Sequence, residues 1–298
     1  MPIFLALLAA ALLAGCGTGD EGGTGADRFD SERAYRDLEA QVEIGPRPAG
    51  SPGARETVAF ITRRLRAAGA EDVRVQRPLR NVTATIPGSE QGAVVVGAHY
   101  DTKDDIPGFV GANDGASGVA VVLELARVLA PRAPLDGPSI HLTLFDAEEA
   151  RGERSFAIDG TRGSQQYVAY AEAAAQGSPL LSDIQAMVLF DLVGDCDLQI
   201  PREQGSDPGL YAEFEAAAES VDGDVKPFGG ETAGVLDDHI PFIRAGIPAV
   251  NLIDFTYGPG PSPGAFWHTA EDTLDKVCAE SLDAVGEAAV VALGRIGR

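Results

Sequence analysis

Residues 93–101 read AVVVGAHYD, and this stretch decides the fold. Its first six residues are apolar or small without alternation, as in a strand buried on both faces. The strand then delivers His99, Tyr100 and Asp101 at its carboxyl end. The same design recurs outward along the chain. HLTLF (141–145) runs into Asp146, Ala147, Glu148 and Glu149, and the apolar run in AMVLFDLVG (186–194) meets Asp191. PAVNLI (248–253) leads through a loop rich in Gly and Pro to Trp267, His268 and Thr269. GASGVAVVLELARVLA (115–130) reads as a long apolar helix, and 165–175, 210–221 and 282–293 as further helices. Upstream, 31–43 is helical, as is 54–68, where Val58, Ile61 and Leu65 recur at helical spacing and Gly69 is the stop. An edge strand is predicted at 72–76 and another strand at 82–86. Apolar strands alternating with helices predict an α/β fold, a three-layer α/β/α sandwich around a mixed, mainly parallel central sheet.

The 298 residues carry a formal charge of −22, with 45% hydrophobic and 23% charged residues. That field repels nucleic acid and anionic headgroups, so no nucleic-acid partner is expected. Residues 3–14, IFLALLAAALLA, are too short to span a bilayer and fit the apolar region of a signal peptide. Leu13-Ala14-Gly15-Cys16 resembles the bacterial lipobox, although no Lys or Arg precedes the apolar run. The expectation is an exported lipoprotein of the bacterial cell envelope, periplasmic or on the outer surface, touching the membrane through a lipid on Cys16 only; secretion is the alternative. Residues 1–15 are then the signal, 16–30 a flexible acidic tether and 31–298 one catalytic domain. Cys196 and Cys278 either pair or remain isolated core thiols, and neither fits a Cys-based metal pattern.

In open α/β sheets, ligands bind at the carboxyl ends of the strands. The polar residues needing explanation gather there. Alone, each has a bland reading: Asp114 before a helix is an N-cap, Glu148-Glu149 a solvated pair, His99 a structural imidazole. Together they do not, because crowded carboxylates repel unless a cation neutralises them. Imidazoles among carboxylates make a nitrogen and oxygen site suited to zinc.

GPRPAGSPG, GAHYDTK, GFVGANDGASGVAVVLELAR, LFDAEEA, LFDLVGD, DDHIPF, AGIP and WHT occur in one order between residues 45 and 290. In them the sequence resembles the zinc aminopeptidase and glutaminyl cyclase superfamily, metallopeptidase family 28. The resemblance implies a zinc exopeptidase-like fold acting on the N-terminal residue of peptides or proteins. It implies Asp114, Glu149 and His268 as ligands of one catalytic zinc, and His99 and Asp191 as ligands of a second ion where two are used. Glu148 matches the general acid/base. Asp238, an acidic pocket residue, joins it in the catalytic set. Asp101 matches the carboxylate that orients His99. Trp267, Asp237 and Asn251 match substrate-binding positions.

Two reactions remain open. LFDAEEA, DDHIPF and Trp267 before His268 are similar to the glutaminyl-peptide cyclotransferases, which makes that reading the first. NDGASG, Asn251 and ARGERSF in place of a nearby Trp are not cyclase-like, which keeps a zinc aminopeptidase as the alternative. A catalytically dead peptide-binding lipoprotein is the third reading. His141 is expected to be structural, His239 either structural or on the pocket wall. The loop 254–266, with Tyr257 and Phe266, is expected to cover the substrate.

Overall fold

Strand β3 (Ala93–His99) is buried along its whole length in a computed structural model that describes residues 28–297 apart from 222 and 224. The predicted signal segment and Cys16 lie outside the described residues. β3 is central in a six-stranded sheet, flanked by β4 (Ser139–Phe145) and β5 (Ile184–Asp191). β5 continues to β8 (Ala249–Ile253), and these four strands are parallel. On the other side β4 pairs antiparallel with β2 (Val82–Ile86), and β2 with the edge strand β1 (Glu71–Val75). The sheet is therefore mixed and mainly parallel, as expected.

Alternating side chains feed two apolar layers. Val94, Val96 and Ala98 of β3 face the larger cluster, whereas Val95 faces the smaller one; in β5, Val188 and Phe190 oppose Met187 and Leu189 in the same way. Helices α1 (Ser31–Ile44), α2 (Pro52–Ala68), α3 (Ala116–Leu129), α6 (Pro208–Ser220) and α8 (Ala279–Ala292) form the layer over the larger cluster. The short α4 (Phe156–Asp159) precedes α5 (Arg162–Glu172), which packs with α7 (Ile240–Arg244) over the other face. Of the 14 residues of α3 only Arg127 is not buried, which explains a helix apolar all round: sheet, α1, α2 and α8 surround it. Its buried Glu124 is held by Arg33 and Arg127. α2 stops as predicted, with Gly69 left-handed at φ 88°.

The sequence does not anticipate β6 (Ile200–Glu203) and β7 (Phe228–Thr232), a separate parallel pair. Their IPRE and FGGET carry no apolar run, and β7 is mostly exposed, so the hydrophobic signal is missing. Cys196 and Cys278 are disulfide-bonded, with Cα atoms 4.8 Å apart, which resolves the choice between pairing and free thiols. His141 sits near the start of β4, and burial pulls it down to about 4. That position is far from the functional edge, as expected. Among the described residues no helix is long and apolar enough to cross a membrane.

The close approach of α3 to β5 depends on Gly118. A Cβ built there would lie 2.2 Å from the Phe190 carbonyl oxygen. Alanine improves helix propensity by about 1 kcal/mol, but a clash with backbone cannot relax cheaply. Gly118→Ala is therefore expected to lose roughly 1–3 kcal/mol of stability in urea unfolding. A variant as stable as the parent would show that α3 does not need this contact.

Candidate active site

Strand register sets where the site lies. His99 pairs with Phe145, and Asp191 with Ile253, so the parallel strands β4, β3, β5 and β8 end along one edge. His99 and Asp191 are the last residues of their strands, while Glu148 and Glu149 follow β4 and Asp114 immediately precedes Gly115 and α3.

These residues converge in two triads that share Asp114. His99, Asp114 and Asp191 form one, and Asp114, Glu149 and His268 the other, with donor atoms inside each lying within 4.8 Å of one another. Asp114 divides its oxygens: Oδ1 is 3.3 Å from His99 Nε2, and Oδ2 is 3.3 Å from His268 Nε2. Asp191 Oδ1 is 3.2 Å from His99 Nε2, and Glu149 Oε1 is 3.2 Å from His268 Nε2. All five predicted ligands are thus brought together.

Burial and crowding shift the titrating groups of the site. Burial, then the neighbouring Asp114, pushes Glu149 up to about 7. Burial pulls His268 down, but Asp114 and Glu149 outweigh it and raise the imidazole to about 10. Burial holds Glu148 well above the usual carboxylate range. Both Glu149 oxygens are buried, with no polar partner beyond the His268 ring beside Oε1. Orphaned carboxylate oxygens facing imidazole nitrogens are a donor set that fits zinc.

The supporting shell is mostly backbone chemistry. The Asp101 carboxylate accepts from the Glu148 N–H (3.0 Å) and the Glu149 N–H (3.3 Å), locking the end of β4 to the end of β3. Its backbone carbonyl lies 3.2 Å from His99 Nδ1 and its carboxylate 3.8 Å, so the two oxygens share the role expected of the carboxylate alone. Three residues at the site have left-handed backbone without being glycine: Ala147 (φ 57°), Leu192 (φ 48°) and His268 (φ 51°). Such strain persists only where the surroundings impose it.

Two positioning residues were not found from sequence. Asp272 accepts from the Asn113 N–H (2.8 Å), the Asp114 N–H (3.0 Å) and the Tyr257 hydroxyl (2.8 Å), fixing the loop that carries Asp114. Arg47, fully buried, donates to the carbonyls of Tyr100 and Gly111 and so clasps both ends of the loop between β3 and α3. A lone Arg within GPRPAGSPG was the available signal, because a turn has no use for a buried charge unless backbone carbonyls receive it.

The triads open into a cavity of about 440 Å³, whose wall includes Glu148, Asp237, Phe156, Leu236, Phe255 and Trp267. Trp267 stacks on His268 with ring centroids 3.8 Å apart. The predicted pocket residues separate here. Asp237 is on the wall, but Asp238 and Asn251 are not among the lining residues: Asp238 bonds Ser164 Oγ, and Asn251 donates to Asp237 Oδ2 at 2.7 Å. Asn251 shares its face of β8 with Ile253, which lines the cavity, but sits two residues further from the strand's end, where Asp237 takes up its amide. His239 is likewise buried, 3.2 Å from Glu203. The expected cover is also corrected: Tyr257 is buried beneath the site, and only Phe255 of the loop 254–266 reaches the wall. ARGERSF contributes Arg154 and Phe156.

The profile of peptidase family M28 matches residues 81–293. The chain is 30% identical over 243 residues to a glutaminyl-peptide cyclotransferase of Boiga irregularis, covering 71% of this chain and 64% of that protein. It therefore spans somewhat less than two thirds of that relative's length. The fold is similar to a glutaminyl cyclase of an Acidobacteriales bacterium, with a TM-score of 0.78, 32% identity and coverage of 98% and 99% of the two chains. It is also similar to a Zn-dependent exopeptidase from Parabacteroides distasonis, with a TM-score of 0.72, 26% identity and coverage of 88% and 97%.

Asp272→Ala removes the acceptor that fixes the Asn113 and Asp114 backbone. Zinc affinity, read by competition with a chromogenic chelator, is expected to fall roughly 10–100-fold. Unchanged affinity would remove Asp272 from the positioning role.

Proposed function

Since the chain belongs to peptidase family M28, in its glutaminyl-peptide cyclotransferase-like branch, we propose that it is a zinc-dependent glutaminyl-peptide cyclotransferase. The reaction closes an N-terminal glutamine to pyroglutamate: the α-amine forms a bond to the side-chain carbonyl carbon, the bond to the amide nitrogen breaks, and ammonia leaves. One observation carries the reading. The buried Glu148 borders a ligand triad inside a cavity walled by Phe156, Leu236, Ile253, Phe255 and Trp267. Such a wall holds a short chain folded and keeps water out, which favours ring closure over hydrolysis.

Asp114, Glu149 and His268 would hold the zinc, which when bound polarises the side-chain carbonyl as a Lewis acid. Glu148, with its backbone N–H fixed by Asp101, takes the proton from the attacking amine and gives it to the departing nitrogen. Asp237, positioned by Asn251 and by the Asp238 N–H, faces the amine from the same wall. Trp267 supplies the flat face against which the glutamine side chain packs.

A second reading, a zinc aminopeptidase, is favoured by the complete second triad of His99, Asp114 and Asp191, which would hold a second ion. The dead-binder reading has no such support, because Glu148 and every candidate ligand are in place. The substrate would be the N-terminus of a peptide or protein, met in the cell envelope if Cys16 carries a lipid.

The test presents the protein with a peptide beginning with Gln and a matched one beginning with Leu, products being read by mass spectrometry. Loss of ammonia from the first alone is the expected result, and release of free Leu would overturn it in favour of the aminopeptidase. Glu148→Gln should lower turnover roughly 10²–10⁴-fold while zinc content is retained; full activity would sink the acid/base assignment.

A further inference from the structure

The cavity wall includes one lysine and one arginine, Lys103 and Arg154. Lys103 is engaged by the fold. Its Nζ donates to the carbonyls of Ala150 (2.9 Å) and Gly152 (3.3 Å), lies 3.7 Å from Asp105, and the side chain is only 11% exposed. Arg154 differs. Its side chain is 62% exposed, and Nη1 lies 3.3 Å from Asp159. Asp159 does not depend on that contact, because Arg151 already donates to it from Nε (2.9 Å), Nη2 (2.5 Å) and the backbone N–H (2.9 Å). Folding thus gives no reason for a guanidinium at this point. Its place at the rim of the cavity does.

The cavity is polarised. Its inner end carries Asp114, Glu148 and Glu149, which suit a metal and the amine of an incoming N-terminus, and its exposed rim carries Arg154. A peptide seated with its first residue inside must leave through the rim. An extended chain advances about 3.3–3.6 Å per residue, so the residues that follow the first pass the rim that carries the guanidinium. We propose that Arg154 is a specificity-determining residue that pairs with a carboxylate on those residues. The carboxylate comes either from an Asp or Glu side chain or from the C-terminus of a short peptide. The planar fork of arginine suits it, and partial exposure limits the gain to a modest one. With a charge of −22, the chain as a whole disfavours acidic peptides, so the preference is a local exception set at short range. The proposal rests on reading the cavity as a site for peptide N-termini.

The experiment compares kcat/KM for Gln-Ala-Ala amide, Gln-Glu-Ala amide, the free acid Gln-Ala-Ala and Gln-Lys-Ala amide. The parent is expected to favour the carboxylate-bearing peptides over Gln-Ala-Ala amide by roughly fivefold, chiefly through KM. A gain with Gln-Glu-Ala amide assigns the side-chain source, and a gain with the free acid the C-terminal one. Arg154→Gln should abolish the ratio, Arg154→Lys should retain part of it, and Arg154→Glu should turn it toward Gln-Lys-Ala amide. Equal ratios in the parent and Arg154→Gln would overturn the proposal. Should no peptide be turned over, the cyclotransferase reading fails separately. Trp267, the one tryptophan of the chain, then reports binding of the same peptides by its emission. In that case a parent affinity ratio lost in Arg154→Gln supports the proposal, and its absence overturns it.

Discussion

Carboxylates forced together out of water set the terms for this molecule. Asp114, Glu148, Glu149, Asp191 and Asp237 meet at one edge of the sheet, each at most 9% exposed, with His99 and His268 between them. Neutral packing cannot satisfy such a group, since each charge raises the free energy of the next. Each imidazole is aimed at Asp114, and the crowding shifts both Glu149 and His268 upward. Asp114, Glu149 and His268 would hold a divalent ion that offsets this repulsion, while Glu148 moves the proton for the substrate.

Much of the surrounding structure holds these groups against their repulsion. Asp101 spans the ends of β3 and β4, Asp272 grips the backbone at Asp114, and Arg47 clasps the loop between them. The left-handed backbones of Ala147 and Leu192 turn the chain sharply just past the ends of β4 and β5, and that of His268 does the same in the loop after β8. Gly118 lets α3 lie against β5 closely enough to bring Asp114 within reach of His99. Packing of the core and geometry of the site are therefore one problem.

The fold was legible because its strands are buried on both faces, so uninterrupted apolar runs such as 93–98 and 186–190 marked them. His99, Glu149 and Asp191 were legible as polar residues at or just past the ends of such runs, whereas Asp114 and His268 follow no run and were marked as ligands by the resemblance of NDG and WHT. What escaped was whatever depends on a contact rather than a period. Nothing in IPRE or FGGET announces the pair β6 and β7. Asp272 and Arg47 act through backbone groups distant in sequence. Asp237 and Asp238 are neighbours with opposite fates, and only the turn into α7 decides which one meets the cavity.

The central claim, that a zinc ion completes this acidic edge, is tested most directly by thermal unfolding of the chelator-treated full chain with and without added zinc. Zinc at about 1,000 times its dissociation constant contributes about 4 kcal/mol, which in a domain of this size raises Tm by roughly 10 °C. The account predicts that rise, and its loss in His268→Ala. A Tm indifferent to zinc, or a rise of the same size in that variant, would contradict it.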